Sequence, residues 1–486
     1  MKTGSFRKGR EYMEAFSNFV TRVDDLVWGI PLIVLIMACG IWLTIRTGLV
    51  QVFHLGKALK YMVQNEEDGT GEVTSFGALC TALSATIGTG NIVGVASAIA
   101  AGGPGALLWM EVAAFFGMAT KYAEGLLAVK YREIDADGHV LGGPFYYIEK
   151  GMGKGWKWLG KLFALFGILA GALGIGTITQ INGITSAAEN FFDPAKAHVV
   201  FTVGTGDAAK GITMTTMIVG LVVTVAAALV IIGGIKRIAK VSEIVVPFMA
   251  VIYVVCGVVI LVANVTKIPG ALSQIFVGAV SPQAVAGGIV GITVKTAIQK
   301  GVARGIFSNE AGLGSAPIAA AAAQTNNAAR QGLVTMTGTF IDTIVICTMT
   351  GLSIVITGAW RPELGLQGAE ITMKAFDDGM YFFPNEISSF LLMLCLMFFA
   401  FTTILGWDYY AERCLEYLSG GNMTAVKIYR WFYIAAVFVG PYLTVSVVWN
   451  VADVFNGLMA FPNIIALLAL SGVVAKESHE FHSKLK

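Results

Sequence analysis

The sequence predicts an all-α polytopic membrane protein with about 11 transmembrane helices. The chain of 486 residues is 56% hydrophobic and only 13% charged, whereas soluble proteins carry about 25% charged residues. Uncharged apolar runs recur along the chain, and most reach the roughly 20 residues that cross the hydrocarbon core of a bilayer. The scattered cysteines have no metal-ligand or disulfide spacing, and the histidines lie outside the apolar runs, so we expect no metal or disulfide framework.

The apolar runs define the predicted spans in chain order. The first six lie at about residues 26–45, 73–101, 106–129, 162–188, 212–235 and 244–266, the seventh ends near residue 324, and the last four lie at about residues 333–360, 386–415, 427–441 and 447–475. Residues 268–294 are apolar but rich in glycine and proline. We expect them to form short helices on the outer face before the seventh span.

Two of these spans contain residues that are not expected to stay helical. In the second span, Gly88 and Gly90 flank Thr89, and each glycine costs about 1 kcal/mol relative to alanine in a helix interior. In the seventh span, residues 305–317 combine three glycines with a proline and an acid. Irregular backbone at bilayer depth survives only where it is buried in protein or lines a cavity. Both breaks are therefore expected to line a binding site.

The two breaks begin two blocks of five spans each, and an odd number of spans makes the second block enter from the opposite side. This is an inverted-topology repeat, in which paired interrupted helices point to a transporter site. The predicted organisation is an N-terminal tail, extra helix and cytoplasmic connector (residues 1–71), a first five-helix repeat (72–266), an outer-face connector and second repeat (267–475), and a cytoplasmic tail (476–486).

The distribution of basic residues predicts the orientation of the protein in the membrane, and the net charge narrows the classes of binding partner. Most lysines and arginines lie in the loops after odd-numbered spans and in the C-terminal tail, and basic loops stay in the cytoplasm. This places the N-terminus outside and the C-terminus in the cytoplasm, although the basic residues before Glu11 argue the other way. The net charge of +2 indicates no nucleic-acid partner. Membrane lipid is the expected surrounding.

Three stretches of the sequence resemble a known family. They are SATIGTGNIVGVASAIAAGGPGALLWM (residues 84–110), GGPFYYIEKGMG (142–153) and GIFSNEAGLGSAP (305–317), and they closely resemble the bacterial and archaeal alanine/glycine:cation symporter family. The resemblance implies a leucine-transporter-like fold with one extra N-terminal helix before a 5+5 inverted repeat. It also implies sodium-coupled import of alanine or glycine by alternating access, in the plasma (inner) membrane of a prokaryote.

A zwitterionic amino acid needs a polar partner for each of its charges, because an unpaired buried charge is very costly. The amides of Gly88, Thr89 and Gly90 precede a half-helix, whose dipole favours a carboxylate at its N-terminus. The backbone carbonyls of the second break are expected to face the ammonium group of the substrate. The remaining predicted substrate contacts are the carbonyls of Ile306, Phe307 and Ser308, the side chains of Asn309 and Gln180, and Trp407 as a cap over the cavity.

Sodium takes oxygen ligands, and the resemblance supplies a candidate set. In the related fold, paired hydroxyls on one helix meet carbonyls of the first break. The corresponding groups are the carbonyls of Ser84, Ile87 and Phe399 and the hydroxyls of Thr402 and Thr403. Asn91 matches a position that binds a second sodium in some relatives.

Two intramembrane acids leave the coupling ion open. Glu310 lies in the second break and Glu111 in the third span, and such acids are functional or paired by default. Glu310 could carry a coupling proton, or it could form a structural pair with Arg304 or Lys300. Proton coupling and a larger neutral substrate are therefore alternatives. An enzyme fits less well, because the apolar runs contain no catalytic His or Asp pair. A channel also fits less well, because the 5+5 internal repeat favours alternating access over a continuous pore.

Overall fold

The computed structural model describes residues 16–66, 69–203, 210–281, 293–443 and 445–484. The helices of the first half are α1 (Phe16–Arg46), α2 (Val50–Phe53), α3 (Leu55–Val63), α4 (Ser75–Thr86), α5 (Gly90–Gly102), α6 (Gly105–Lys130), α7 (Pro144–Tyr146), α8 (Lys157–Ala170), α9 (Ile178–Phe192), α10 (Met214–Ile231) and α11 (Gly234–Ala263). Those of the second half are α12 (Ile268–Val280), α13 (Val294–Asn309), α14 (Ala316–Ala320), α15 (Ala328–Thr339), α16 (Thr348–Thr357), α17 (Ala369–Gly379), α18 (Asn385–Ser419), α19 (Met423–Val439), α20 (Val445–Ala469) and α21 (Ser471–Ser483).

Short elements connect these helices. Wider π turns lie at Tyr147–Gly151, Gly171–Ile175 and Phe340–Cys347, and 3₁₀ turns lie at Lys154–Trp156, Val265–Lys267, Pro362–Leu364 and Gly440–Tyr442. The strands β1 (Glu133–Ile134), β2 (Val140–Leu141), β3 (Val199–Val203) and β4 (Lys210–Thr213) form two antiparallel hairpins. Both hairpins lie in segments that the sequence predicts as loops.

The prediction of an all-α protein with many membrane spans is confirmed, but the number of about 11 spans is not. Among the described residues, 8 helices are long and apolar enough to cross a membrane, or 9 if the bent pair α4–α5 is one span. Two further predicted spans are too short for this test. The helix α19 has 17 residues, and the second break leaves α13 with 16 residues and α14 with 5.

Both predicted breaks are present. The axes of α4 and α5 are bent by 53°, with Gly88 between them. In the second break, Glu310 has a φ of 55°, and Gly312 and Gly314 have φ values of 90° and 84°. Only glycine adopts this left-handed region readily, which explains why two glycines follow Glu310. Of the predicted short helices in residues 268–294, α12 is observed, and residues 282–292 lie outside the described residues.

The helices divide into a buried centre and a periphery. The helix α6 is 78% buried within the protein and packs chiefly against α15 and α13. In contrast, α10 and α11 are only 33% buried and expose large apolar side chains such as Leu221 and Phe248. Exposed apolar surface of this kind suits contact with lipid. The two breaks therefore lie inside a helical shell, where protein groups can satisfy their backbone.

Candidate functional site

The first break lies in contact with α9 and α18. A Cβ atom at Gly88 would lie 2.6 Å from Thr403 Oγ1 and 3.7 Å from Gln180 Oε1. The methyl group of Thr89 lies 3.1 Å from the position of a Cβ at Gly183 on α9. The structure thus brings the first break together with two of the predicted site residues on other helices.

The second break meets the first at Gly90. A Cβ atom at Gly90 would lie 3.5 Å from the Phe307 ring and 3.7 Å from the Cα of Ser308. The Phe307 ring also packs edge-on against Trp28 of α1, with 6.4 Å between ring centroids. Phe307 therefore separates the junction of the two breaks from the space beside α1.

Only two of the three amides predicted for the carboxylate remain available. The Gly88 amide donates to Asn91 Oδ1 at 2.9 Å, so in this structure it is already bonded within the protein. The amides of Thr89 and Gly90 have no partner beyond their own helical segment among the described residues. A half-helix N-terminus with free amides attracts an anion. These two amides remain predicted carboxylate ligands.

Among the described residues, two of the predicted side chains each have a buried polar atom without a hydrogen-bond partner. Gln180 donates from Nε2 to the Ile175 carbonyl at 2.9 Å, while its Oε1 atom is buried without a hydrogen-bond partner. The indole nitrogen of the fully buried Trp407 also has no partner. Trp407 follows Thr403 by four residues on α18, so both lie on the same helix face. A buried polar atom without a partner costs about 1–3 kcal/mol, and a ligand would offset that cost.

Two residues of the second break have structural partners instead of the predicted free groups. The Ile306 carbonyl accepts a hydrogen bond from the Glu310 amide at 2.8 Å. Asn309 donates to Thr343 Oγ1 at 3.0 Å and accepts from the Ala311 amide at 2.9 Å. The Ile306 carbonyl thus belongs to the helical hydrogen-bond pattern but keeps a second lone pair, so its contact with substrate stays a prediction, and the Asn309 side chain holds the break in place. The carbonyls of Phe307 and Ser308 accept no hydrogen bond from beyond α13 in the described structure.

The predicted sodium ligands converge only in part. Thr403 Oγ1 lies 2.9 Å from the Phe399 carbonyl and 3.5 Å from the Ile87 carbonyl. Thr402 Oγ1 lies 3.0 Å from the Phe399 carbonyl and 3.6 Å from Met249 Sδ, towards α11. The Ser84 hydroxyl donates to the Thr81 carbonyl within α4. The Thr403 hydroxyl thus lies within reach of two predicted carbonyls, those of Ile87 and Phe399, whereas the Thr402 hydroxyl bonds only the Phe399 carbonyl among the predicted ligands that the structure describes.

A carboxylate that the sequence analysis missed joins both breaks. Asp342 is fully buried. Asn91 of the first break donates to its Oδ1 at 2.8 Å, Ser308 of the second break donates to its Oδ2 at 2.9 Å, and Thr343 donates to Oδ2 at 2.7 Å. The signal was available in the sequence, because Asp342 is the one acid in the predicted span 333–360 and intramembrane acids are functional by default.

The predicted pairing of Glu310 with Arg304 or Lys300 is wrong. Glu310 accepts a short hydrogen bond from Ser315, because its left-handed backbone turns the side chain past the end of α13. Arg304 lies over the Phe307 ring, 5.5 Å from its centroid. It lines a cavity of about 70 Å³ together with Lys300 and with three acids, Asp24, Asp25 and Asp453.

Two further intramembrane charges lie near the second break. Glu124 accepts from the Gly312 amide at 3.1 Å and from Asn463 at 2.7 Å. Lys121 is buried and close enough to act electrostatically on both Glu124 and Glu310. Other acids lie elsewhere, such as the buried Asp408 on α18 and the partly buried Glu111 on α6, and one carboxylate oxygen of Glu111 has no hydrogen-bond partner among the described residues.

Comparison with known proteins identifies the family. The sequence model of the sodium:alanine symporter family matches residues 13–486. The chain is 50% identical to an uncharacterized transporter of Haemophilus influenzae, over 96% of this chain and 97% of that protein. It is 47% identical to the sodium/alanine symporter AgcS of Methanococcus maripaludis, again over 96% and 97% of the two chains.

Among solved structures, MhsT in complex with L-phenylalanine aligns with a TM-score of 0.49 and 13% identity, over 84% of this chain and 99% of that chain. The family match covers nearly the whole sequence, and the relatives match over nearly their whole length. The chain is thus a multi-pass membrane transporter and no enzyme, and it belongs to the sodium:alanine symporter family.

Proposed function

We propose that this protein imports a small neutral amino acid, alanine or glycine, together with sodium by alternating access. The observation that carries the proposal is the junction of the two breaks. Within the described residues, the amides of Thr89 and Gly90 there have no partner beyond their own helical segment, and the unpartnered Oε1 of Gln180 lies 3.7 Å from the position of a Cβ at the neighbouring Gly88. The amides suit the substrate carboxylate, and Gln180 with the carbonyls of Phe307 and Ser308 suits its ammonium. The same junction favours a small side chain, because Gly90 lies so close to the Phe307 ring.

Sodium would bind directly beside this substrate position. The carbonyl of Ile87 precedes the free amides by two residues, and Thr403 Oγ1 lies 3.5 Å from that carbonyl. One broken segment would then hold both the ion and the amino acid, so that each orders the backbone that the other needs. This shared segment is a physical basis for coupled transport.

Asp342 would hold a second cation next to Asn91. A carboxylate that already accepts three hydrogen bonds is a hard, charged oxygen ligand, and it touches both breaks. Sodium and a proton are the two candidates. We also propose the orientation predicted from charge, with the N-terminus outside and the C-terminus in the cytoplasm of a prokaryotic cell, and an inward sodium gradient would then drive import.

The function is tested by uptake of labelled alanine into proteoliposomes under separately imposed sodium and proton gradients. We expect an inward sodium gradient at equal pH to drive accumulation, with glycine competing and glutamine competing weakly. Uptake that ignores sodium and follows an acid exterior would overturn sodium coupling. Strong competition by large neutral amino acids would overturn the small-substrate assignment.

Replacing Thr403 with valine is expected to raise the sodium concentration for half-maximal uptake by at least about ten-fold, because one hard oxygen ligand is lost. A ten-fold change corresponds to about 1.4 kcal/mol of binding free energy. The matched variant Thr402→Val should have a smaller effect, since that hydroxyl lies against Met249. The measurement is a sodium titration of alanine uptake. Equal sodium curves for wild type and Thr403→Val would remove Thr403 from the ion site.

A further inference from the structure

The segments that flank the two broken helices on one face of the protein are joined by backbone hydrogen bonds. The Glu72 amide donates to the Ala322 carbonyl at 2.9 Å, and the Gln324 amide donates to the Val73 carbonyl at 2.7 Å. These residues precede α4 and follow α14. The approach is so close that a Cβ at Gly71, where φ is 151°, would lie 2.4 Å from the Ala323 carbonyl oxygen. This backbone seam closes the space between the two broken helices on the face predicted to be cytoplasmic.

The first hairpin lies over this seam as a strap, which we define as residues 132–141. Arg132 donates to the carbonyls of Ala321 and Ala323 at 2.6 Å each, and to those of Thr70 and Thr325 at 2.7 Å each. One guanidinium therefore holds both sides of the seam. Because arginine stays charged at all accessible pH values, the strength of this contact does not depend on pH.

The other end of the strap carries a group that can change its charge. His139 Nδ1 lies 3.0 Å from the Glu72 carboxylate, and Nε2 lies 2.8 Å from the Glu416 carboxylate at the end of α18. Arg413 faces the same ring, with Nη1 2.7 Å from Nε2 and 2.6 Å from Glu416. Within the strap, Asp135 accepts from the His139 amide at 2.9 Å.

Charge balance favours the protonated imidazole at this position. A neutral ring with its hydrogen on Nδ1 donates to Glu72 and accepts from Arg413 at Nε2, whereas the protonated ring donates to both carboxylates and leaves Arg413 to Glu416. With His139 charged, the two carboxylates are balanced by two cations. The hydrogen bonds to Glu416 and then to Glu72 raise the pKa of His139 to about 9, against the opposing effects of burial and Arg413.

We propose that His139 is a proton-operated latch, which in its protonated form holds the strap against Glu72 and Glu416 and keeps the seam closed. Glu72 precedes the first broken helix, and Glu416 lies on the helix that carries Thr403. The latch thus joins the two elements between which substrate and sodium would leave. This role rests on the proposed alternating access, since release towards this face requires the seam to open.

The direction of the pH effect follows from the raised pKa. A histidine whose pKa is higher in the closed state stabilises that state fully below its free pKa, and the stabilisation is lost as the pH rises through the raised pKa. The free and latched pKa values of His139 are 6.5 and about 9. Raising the pH on this face across that interval therefore favours opening of the seam.

The test is hydrogen–deuterium exchange of the amides in residues 69–74 and 321–327 of the purified full-length protein, corrected for the intrinsic pH dependence of exchange. In wild type, we expect exchange of these amides to become at least about ten-fold faster between pH 6.5 and pH 9. His139→Lys keeps a positive charge, so its seam should stay protected at both pH values. His139→Asn should exchange fast at both.

His198→Asn is the matched control, because His198 lies beside the other hairpin, where its side chain is 77% exposed. It should leave the seam unchanged. Equal pH sensitivity in wild type and His139→Asn would overturn the latch, as would pH-independent exchange in wild type.

Two further measurements keep the test decisive. If His139→Asn does not fold, Glu416→Gln replaces it, and the loss of the strongest hydrogen-bond partner should move the pH of opening downward. An unmoved midpoint in Glu416→Gln would contradict the proposal. Failure of wild-type protein to transport alanine, with the exchange pattern intact, would refute the proposed substrate but not the latch.

Discussion

Gly88→Ala is expected to reduce alanine uptake by about 100-fold or more. The added Cβ would lie 2.6 Å from Thr403 Oγ1, which is shorter than any normal contact, so the Thr403 hydroxyl, the first break or α18 must move by up to about 1 Å. A displacement of that size at a binding site costs about 100-fold in rate. The clash falls between the proposed carboxylate and sodium ligands, so both substrate affinity and sodium affinity should fall together.

Gly94→Ala is the matched control in the same broken helix. A Cβ at Gly94 would meet nothing within 4 Å, and alanine favours a helix by about 1 kcal/mol over glycine. Uptake by this variant should equal or exceed that of wild type. The measurement is the initial rate of labelled alanine uptake at equal amounts of reconstituted protein. Substantial uptake by Gly88→Ala would show that the first break tolerates a side chain and lies away from the site.

Asp342→Asn is expected to be the second severe variant, with uptake reduced by about 100-fold. The amide keeps the shape of the side chain but removes its charge, and its NH₂ group must face at least one of the three donors that now point at the carboxylate. A buried donor without an acceptor costs about 1–3 kcal/mol. Because Asn91 and Ser308 are two of those donors, the defect should disturb both breaks at once.

The ion that Asp342 holds can be identified from the residual activity. Sodium titrations of uptake at several pH values should show a weakened sodium response if Asp342 binds sodium, or a lost pH response if it carries a proton. Asp378→Asn makes the same chemical change in an exposed i,i+4 pair with Lys374, where such pairs contribute about 0.5 kcal/mol or less, and it should transport normally. Unchanged sodium and pH responses in Asp342→Asn would give Asp342 a purely structural role.

The two breaks could be predicted because their causes are local. Gly88 and Gly90 weaken a helix whatever surrounds them, and the left-handed backbone at Gly312 and Gly314 is open chiefly to glycine. The hydrophobic runs predicted most spans for the same reason. The number of spans was harder to predict, because a break divides one apolar run into pieces that are each too short to cross a membrane.

The details of the site depend on contacts that sequence spacing does not encode. The Gly88 amide is occupied by Asn91, three residues away, through a side-chain rotamer that no pattern specifies. Asp342 reaches Asn91 across 251 positions of the chain. The Arg304–Glu310 pairing failed because the left-handed backbone at Glu310 turns its side chain towards Ser315, which sequence spacing does not indicate. The strap was missed because strands of two residues are too short to show alternation.

The seam between the broken helices also constrains the order of biosynthesis. Val73 pairs with Ala323, so this contact cannot form until the first 323 residues have been made and the second broken helix has entered the membrane. Until then the first broken helix has no backbone partner at that end, and its exposed amides must be met by water or lipid headgroups. Contacts with later residues, such as the hydrogen bond of Asn463 to Glu124, need still more of the chain, so synthesis places the seam between the contacts of the first repeat and those of the last helices.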